Sequence, residues 1–274
     1  MLTVSGMSKV LPNGRRLLHQ VSFAVSRGEF VSILGLSGAG KTMTLRCIIG
    51  LTKPDEGEVS LFGADGASYR TTQVRDRDLR RARRHMALIF QGSNLVKRLS
   101  VLENVMLGRL GYVQPWRSLT LGFSDSEAGD AMVALDRVRM ADFAGRQAGS
   151  LSGGEMQRVA IARAIHQKPL LYLVDEPISS LDPKNAESIM ALLQPLSRET
   201  PILGAFHQPA MVARYCTRAI GLRQGSVVYD GAARLSDSEL ERIYGSQPLE
   251  TEAGLKTERP PVTPAPFFTS EAHA

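Results

Sequence analysis

Val21 to Val25 alternates apolar and polar positions, and Phe30 to Leu34 is a short apolar run. Both patterns predict strands. Asn13-Gly14 marks a hairpin turn between the earlier pieces. A glycine-rich stretch, Gly35 to Gly40, then leads into a helical pattern that runs to Ile49 and is stopped by Gly50 and Pro54. Gly57 to Phe62 and Met86 to Phe90 read as strands on either side of a very basic helix, Thr72 to Arg84. From Leu99 to Ala148 the pattern is helical, with interruptions at Gly108, Gly111 and Pro115. A helix from Gly153 to Ile165 precedes the buried strand Leu170 to Val174. The remainder alternates: helix Asn185 to Leu196, strand Ile202 to Phe206, helix Pro209 to Tyr215, then strands Ala219 to Arg223 and Ser226 to Tyr229 around Gln224-Gly225. A last helix, Ser236 to Tyr244, takes Ser236 as its N-cap.

Strands alternating with helices predict an α/β fold, a largely parallel sheet with helices on both faces. Antiparallel pieces at both ends make the sheet core mixed. After Tyr244 the periodicity stops, and five of the 14 prolines (Pro248, Pro260, Pro261, Pro264 and Pro266) fall in residues 246–274. That composition predicts a disordered tail. The expected organisation is one domain over 1–245, with a helical subdomain over about 92–150, and the Pro-rich tail.

Composition narrows the class. The 274 residues carry 33 Lys and Arg against 27 Asp and Glu, a net charge of +6, with 43% apolar and 22% charged residues. These proportions exclude a disordered chain, a collagen-like chain and a disulfide scaffold. The longest apolar runs are a handful of residues, such as Leu170 to Val174, far short of the ~20 a membrane span needs. Met1 to Val10 has no long apolar stretch after a basic end, so no secretory signal is expected. Cys47 and Cys216 are expected as reduced thiols. The positive charge suits a nucleic acid, an anionic ligand or a membrane surface without choosing between them.

Three motifs carry chemistry. Gly35-Leu36-Ser37-Gly38-Ala39-Gly40-Lys41-Thr42 has the spacing of a phosphate-binding loop, between a strand and a helix as that motif requires. Glycines let backbone N–H groups close around phosphates, and the following helix aims its positive end at the same anion. Lys41 reaches the β and γ phosphates, Thr42 can ligate Mg²⁺, and Thr44 belongs to the same turn. The second motif, Leu170 to Glu176, is an apolar strand that delivers Asp175 for Mg²⁺ and Glu176 to polarise an attacking water. A buried strand ending in acids is common, and the upstream loop is what gives it meaning. The third, Leu151-Ser152-Gly153-Gly154-Glu155-Met156-Gln157-Arg158, reads as a second phosphate-facing helix start.

With that third motif the chain resembles the ATP-binding cassette family, the ATPase subunits of ABC transporters. The resemblance covers residues 2 to 245 and implies a P-loop NTPase fold with an N-terminal antiparallel β subdomain and an inserted α-helical subdomain. Gln91 matches the family's Q-loop glutamine, followed here by Gly92; Ser180-Leu181-Asp182 matches the D-loop; His207 matches the switch histidine. One element departs: where the family usually has an aromatic residue that stacks on adenine, this chain has Leu11. Stacking is worth ~0.5–1.5 kcal/mol beyond area, so several-fold weaker ATP binding is expected. Asn94 to Val105, Gly108 to Gly111, Trp116 to Leu119, Ile220 to Gly225 and Tyr244-Gly245 resemble phosphonate importer ATPases.

The resemblance implies ATP and Mg²⁺ as cofactors and a head-to-tail pair of cassettes. Gly35, Ser37, Gly38, Ala39, Gly40, Lys41, Thr42, Thr44, Gln91, Asp175 and His207 of one copy would face Ser152, Gly153 and Gly154 of the other, with Asp182 crossing between them. Glu176 would be the general base, and Thr42, Gln91 and Asp175 the metal ligands. Permease subunits in the membrane, and indirectly a periplasmic or extracellular substrate-binding protein, are the implied partners; no nucleic acid is expected. The implied location is peripheral, on the cytoplasmic face of the inner membrane. Other readings remain: an importer of another small solute, or an accessory of phosphonate breakdown. A DNA-repair type would need a long heptad insertion, but only about 60 residues separate Gln91 from Leu151. A translation-factor type would need two cassettes in one chain. The Leu151 to Arg158 motif speaks against a P-loop kinase or GTPase.

Overall fold

The computed structural model describes residues 1–112, 124–179 and 181–245. Trp116 to Leu119, Pro115, Ser180 and the Pro-rich tail lie outside the described residues. The chain begins with strands β1 (Leu2–Val10), β2 (Arg16–Val25) and β3 (Phe30–Leu34), then helix α1 (Lys41–Ile48). Next come β4 (Glu56–Phe62), β5 (Ser68–Arg70), α2 (Asp76–Arg84) and β6 (Met86–Ile89). A helical stretch follows, with α3 (Val101–Met106), a 3-10 turn (Leu107–Tyr112) and α4 (Asp125–Arg137). The last part contains α5 (Gly153–His166), β7 (Leu171–Asp175), α6 (Pro183–Glu199), β8 (Ile202–Ala205), α7 (Pro209–Tyr215), β9 (Arg218–Arg223), β10 (Ser226–Ala232) and α8 (Asp237–Tyr244).

The strands form two sheets. One is antiparallel, in the order β2-β1-β4-β5; the other has the order β10-β9-β3-β8-β7-β6, parallel except for the β10–β9 pair. The central strands are apolar throughout because both of their faces are covered. Phe30 and Leu34 of β3, Tyr172 and Val174 of β7 and Ile202 of β8 enter a core shared with α3 to α6. Val31 and Ile33, Leu171 and Leu173, and Leu203 and Ala205 enter a second core under α1 and the antiparallel sheet. The period-two alternation of strand side chains thus divides each short apolar run between two cores.

Most predicted elements stand within a residue or two of their expected bounds, and Ser236 caps α8 through a reciprocal pair with Glu239. Strand β2 starts five residues before its expected bound, β10 runs on to Ala232 and α6 to Glu199, and two further differences have clear physical reasons. The basic helix begins at Asp76, not Thr72, because Thr72 is buried and its hydroxyl accepts from Val59 N–H at 3.1 Å, tying that segment to β4. Strand β5 has no signal in the sequence, since three residues with a mostly exposed pattern give no apolar alternation. Both cysteines are free: Cys47 is buried, which pushes its thiol up to about 11, and Cys216 closes α7. Among the described residues no helix is long and apolar enough to cross a membrane.

Asn104 holds the turn that follows Gln91 onto α3. The fully buried side chain accepts from Val96 N–H at 2.8 Å and donates to the carbonyls of Val96 at 3.1 Å and Ser100 at 2.9 Å. Asn104→Ala leaves the buried Val96 N–H without its partner, while the Val96 and Ser100 carbonyls keep backbone donors, so a stability loss of about 2 kcal/mol is expected, read as a lower urea midpoint.

Candidate active site

The site stands where three parallel strands end side by side. Ile33 of β3 pairs with Ala205 of β8, and Ala205 pairs with Asp175 of β7. The residues that follow each strand therefore emerge in one row, at the carboxyl edge where open α/β sheets bind ligands. From β3 comes the loop Gly35 to Gly40. A Cβ at Gly35, whose φ is +151°, would lie 2.3 Å from the Leu222 carbonyl oxygen; one at Gly40, φ +108°, would lie 2.6 Å from Leu18 Cδ2. Only glycine fits at either position. Gly40 caps α1 without any side-chain bond, so the helix starts with unsatisfied N–H donors and its positive dipole end at the loop. Thr44 is buried, and its hydroxyl donates to the Gly40 carbonyl at 3.0 Å, fixing the loop to the first turn.

Lys41 is 4% exposed, with its ammonium turned into the loop. It donates to the carbonyls of Gly35 at 2.8 Å and Leu36 at 3.2 Å and lies 3.5 Å from His207 Nδ1. Burial lowers the Lys41 pKa, and the nearby Glu176 and Asp175 charges oppose that shift. Thr42 donates its hydroxyl to Asp175 Oδ1 at 2.9 Å. Burial raises the Asp175 pKa, while the Thr42 hydrogen bond opposes the rise. Glu176 Oε1 and His207 Nε2 are in direct contact. Glu176 has φ +48°, a left-handed conformation that costs ~1–3 kcal/mol, and its N–H donates to the Ala205 carbonyl at 3.1 Å.

Thus Lys41, Thr42, Asp175, Glu176 and His207 form one connected group. Gln91 joins it at one remove: its amide Nε2 donates to Ser179 Oγ at 2.9 Å, and Ser179 donates to the Glu176 carbonyl at 3.2 Å. Sequence reasoning missed Ser179, whose only signal was its place three residues after Glu176. Ser37 and Gly38 are exposed at the top of the loop, and Ala39 is buried below them. Leu11 lies half-buried in the β1–β2 turn, its N–H donating to the Arg15 carbonyl at 2.9 Å.

Ser152, Gly153, Gly154 and Asp182 make a second group. Ser152 is the N-cap of α5, and its hydroxyl donates to Glu155 Oε2 at 2.7 Å in a capping box. The expected phosphate-facing hydroxyl is therefore first a helix cap. The hydrogen bonds from Ser152 also hold the Glu155 carboxyl below its usual range. Asp182 caps α6, accepting from Asn185 N–H at 3.1 Å. A Cβ at Gly154 would stand 3.1 Å from Asn185 Oδ1, so the starts of α5 and α6 touch. No side-chain hydrogen bond between described residues links this group to Lys41, Asp175 or Glu176. Ser180, beside it in sequence, is outside the described residues.

A profile of the ABC transporter family matches residues 18–179, which include the loop, the α5 start and both strand-end acids. The chain belongs to that family. The phosphonates import ATP-binding protein PhnC of Nitratidesulfovibrio vulgaris is 42% identical over 90% of this chain and 92% of its own length. The corresponding PhnC 2 of a Synechococcus species is 43% identical over 90% and 91%. Among solved structures, the dimeric post-hydrolysis state of the ATP-binding cassette MJ0796, bound to ADP and Pi, is 34% identical with a TM-score of 0.72, covering 86% of this chain and 100% of that one. The ADP conformation of the cassette MJ1267 is 25% identical with a TM-score of 0.75, covering 89% and 97%. The protein is thus an ABC-type ATPase with a nucleotide-binding P-loop fold.

The donor set suits a small hard cation. Thr42 and Asp175 offer two oxygens 2.9 Å apart, and Mg²⁺ usually takes one or two protein oxygens, with phosphates and water for the rest. No cluster of three or more His, Cys, Asp or Glu poised for a metal occurs among the described residues. The raised Asp175 pKa has a sign that can be tested. An acid whose pKa is higher folded than unfolded favours folding below its unfolded value, near 3.8, and that contribution is lost as pH rises through the folded value. Asp175→Asn, neutral throughout, is expected to melt above the parent at pH 7 to 8 without nucleotide. The difference should shrink as pH falls toward 4, and calorimetric melts across that range check it.

Proposed function

We propose that this protein is the ATP-hydrolysing subunit of an importer for phosphonates or related phosphorus oxyanions. The observation that carries this is the gathering of Lys41, Thr42, Asp175, Glu176 and His207 at three adjacent strand ends. The substrate class rests on relatives at about 40% identity over some 90% of the chain, named as phosphonates import ATP-binding proteins.

The chemistry follows from the residues. Backbone N–H groups of Gly35 to Thr42 and the Lys41 ammonium bind the β and γ phosphates of ATP. Glu176 takes a proton from water; the water oxygen bonds to the γ-phosphorus as the bond to the β–γ bridging oxygen breaks, and ADP leaves with that electron pair. His207, in contact with the Glu176 carboxylate, holds it in place and faces the γ-phosphate side near Lys41. Thr42 and Asp175 would hold Mg²⁺, with Gln91 Oε1 as a further ligand, and the ion would offset phosphate charge. Gln91, anchored on Ser179, ties the segment leading to the helical region (92–150) to the Glu176 backbone.

The second group would complete the site of another copy. In one chain it shares no side-chain hydrogen bond with the Lys41 group among the described residues, and MJ0796 is dimeric with ADP and Pi. Ser152, Gly153 and Gly154 of one copy would meet the γ-phosphate held by its partner, with Asp182 crossing the interface. Hydrolysis removes that shared anion and lets the pair open. The opening would drive permease subunits from the cytoplasmic face of the inner membrane, with a substrate-binding protein acting on their far side. The nucleotide-binding domain would span 1–245, with 246–274 as an appended tail.

Purified Glu176→Gln is expected to form an ATP-dependent dimer in light scattering while turnover falls by at least ~10²-fold. Hydrolysis at the parent rate would remove Glu176 from the role of base. For the substrate, a deletion strain should fail to grow on a phosphonate as sole phosphorus source and fail to take up labelled phosphonate, with rescue by the parent gene but not by Lys41→Ala. Lost growth with normal uptake would place the protein in breakdown instead.

A further inference from the structure

The basic helix α2 has no part in the site described above. Arg77, Arg80, Arg81 and Arg84 recur at the i, i+3, i+4, i+7 spacing that puts them on one helical face. With Arg75, the N-cap, and Asp78 they line a groove of about 640 Å³. Asp78 is the one carboxylate in that lining, which leaves a net of four positive charges. None of the five arginines forms an ion pair with a described carboxylate. Asp76 and Asp78 in the first turn and Arg81 and Arg84 in the last suit the helix dipole, but Arg77, Arg80, Arg81 and Arg84 on one face are like charges three and four residues apart, which repel. The opposite side of α2 is the structural one: Ala82 is buried, and Arg83 donates to the carbonyls of Ile49 at 3.1 Å and Gly50 at 2.5 Å.

The groove is also partly pre-shaped. The Arg81 guanidinium lies 5.7 Å from the Tyr69 ring centre, and Arg84 lies 5.7 Å from that of Tyr112. Tyr112 is in turn fixed by donating its hydroxyl to the Arg84 carbonyl at 2.6 Å. A guanidinium set on a ring loses less freedom when it binds, and its planar fork matches phosphate oxygens two at a time. The lining is cationic and compact, set on a nine-residue helix. That favours a small, multiply charged oxyanion group over an apolar ligand or an extended strand. We propose that the α2 groove is a second anion site, recognising a phosphoryl or phosphonyl group through paired guanidinium forks. That group is borne either by a lipid headgroup or by a free oxyanion.

The test uses the full chain saturated with a non-hydrolysable ATP analogue, so that the β and γ phosphate positions are both filled and the groove is read separately. One arm measures co-sedimentation with vesicles of phosphatidylcholine, with and without phosphatidylglycerol. The other titrates inorganic phosphate and methylphosphonate by calorimetry. The variant combines Arg77→Gln, Arg80→Gln and Arg81→Gln, substitutions that keep good helix formers at exposed positions. The parent should bind in at least one arm, and the variant at least about tenfold more weakly, with affinity for the ATP analogue and melting unchanged. Binding to the charged vesicles alone identifies a lipid headgroup; binding of the soluble ions identifies a free oxyanion. The proposal is overturned if the parent binds in neither arm or if the variant binds like the parent. It is also overturned if the same positions as lysine restore full affinity, since charge without the fork would then suffice. Should the triple variant melt uncooperatively, Arg80→Gln alone carries the same comparison.

Discussion

The register across β3, β8 and β7 fixes where the charged groups of the site stand. Because Ile33, Ala205 and Asp175 share one row, the phosphate loop, His207 and the two acids leave the sheet as neighbours. A one-residue slip of β7 would turn Asp175 to the other face and move Leu173 and Val174 between the two cores. The apolar runs of these strands thus hold the register, and the register places the chemistry.

Electrostatic tension is built into that row. Lys41 and Asp175 are both desolvated enough for burial to dominate their pKa shifts, and both shifts disfavour the charged form. Each is partly compensated, Lys41 by two carbonyls and the nearby acids, Asp175 by the Thr42 hydroxyl. Glu176 adds backbone strain at the point where its carboxylate meets His207. Such preorganisation costs stability in the free protein, and a bound phosphate chain would recover it by completing the charge pattern.

The second group of residues is held by helix caps. Ser152 and Asp182 both serve as N-caps, so the residues that would face a partner's nucleotide also set the directions of α5 and α6. The contact between Gly154 and Asn185 joins those two helix starts. The Gln91–Ser179–Glu176 chain links the Glu176 backbone carbonyl to the stretch that leads, through the Asn104-pinned turn, into the helical region.

The phosphate loop, the strand-end acids and the Leu151 to Arg158 motif were legible in the linear chain. Their meaning depends on local geometry: glycines where a Cβ would collide, an apolar strand before a carboxylate, a serine three residues before a glutamate. The strands of the parallel sheet were legible for the same reason, since burial on both faces leaves an apolar run. What required the folded chain was long-range: His207 beside Glu176, Ser179 beneath Gln91, the anchoring of Thr72 to β4, and the pairing of the exposed strand β5. Those contacts join residues from six to 88 positions apart, set by sheet register and helix packing, which no local pattern encodes. Residue types and their spacing pointed to groups suited to a phosphate chain; which of them meet depends on packing, because only the assembled sheet brings separate strand ends into one row.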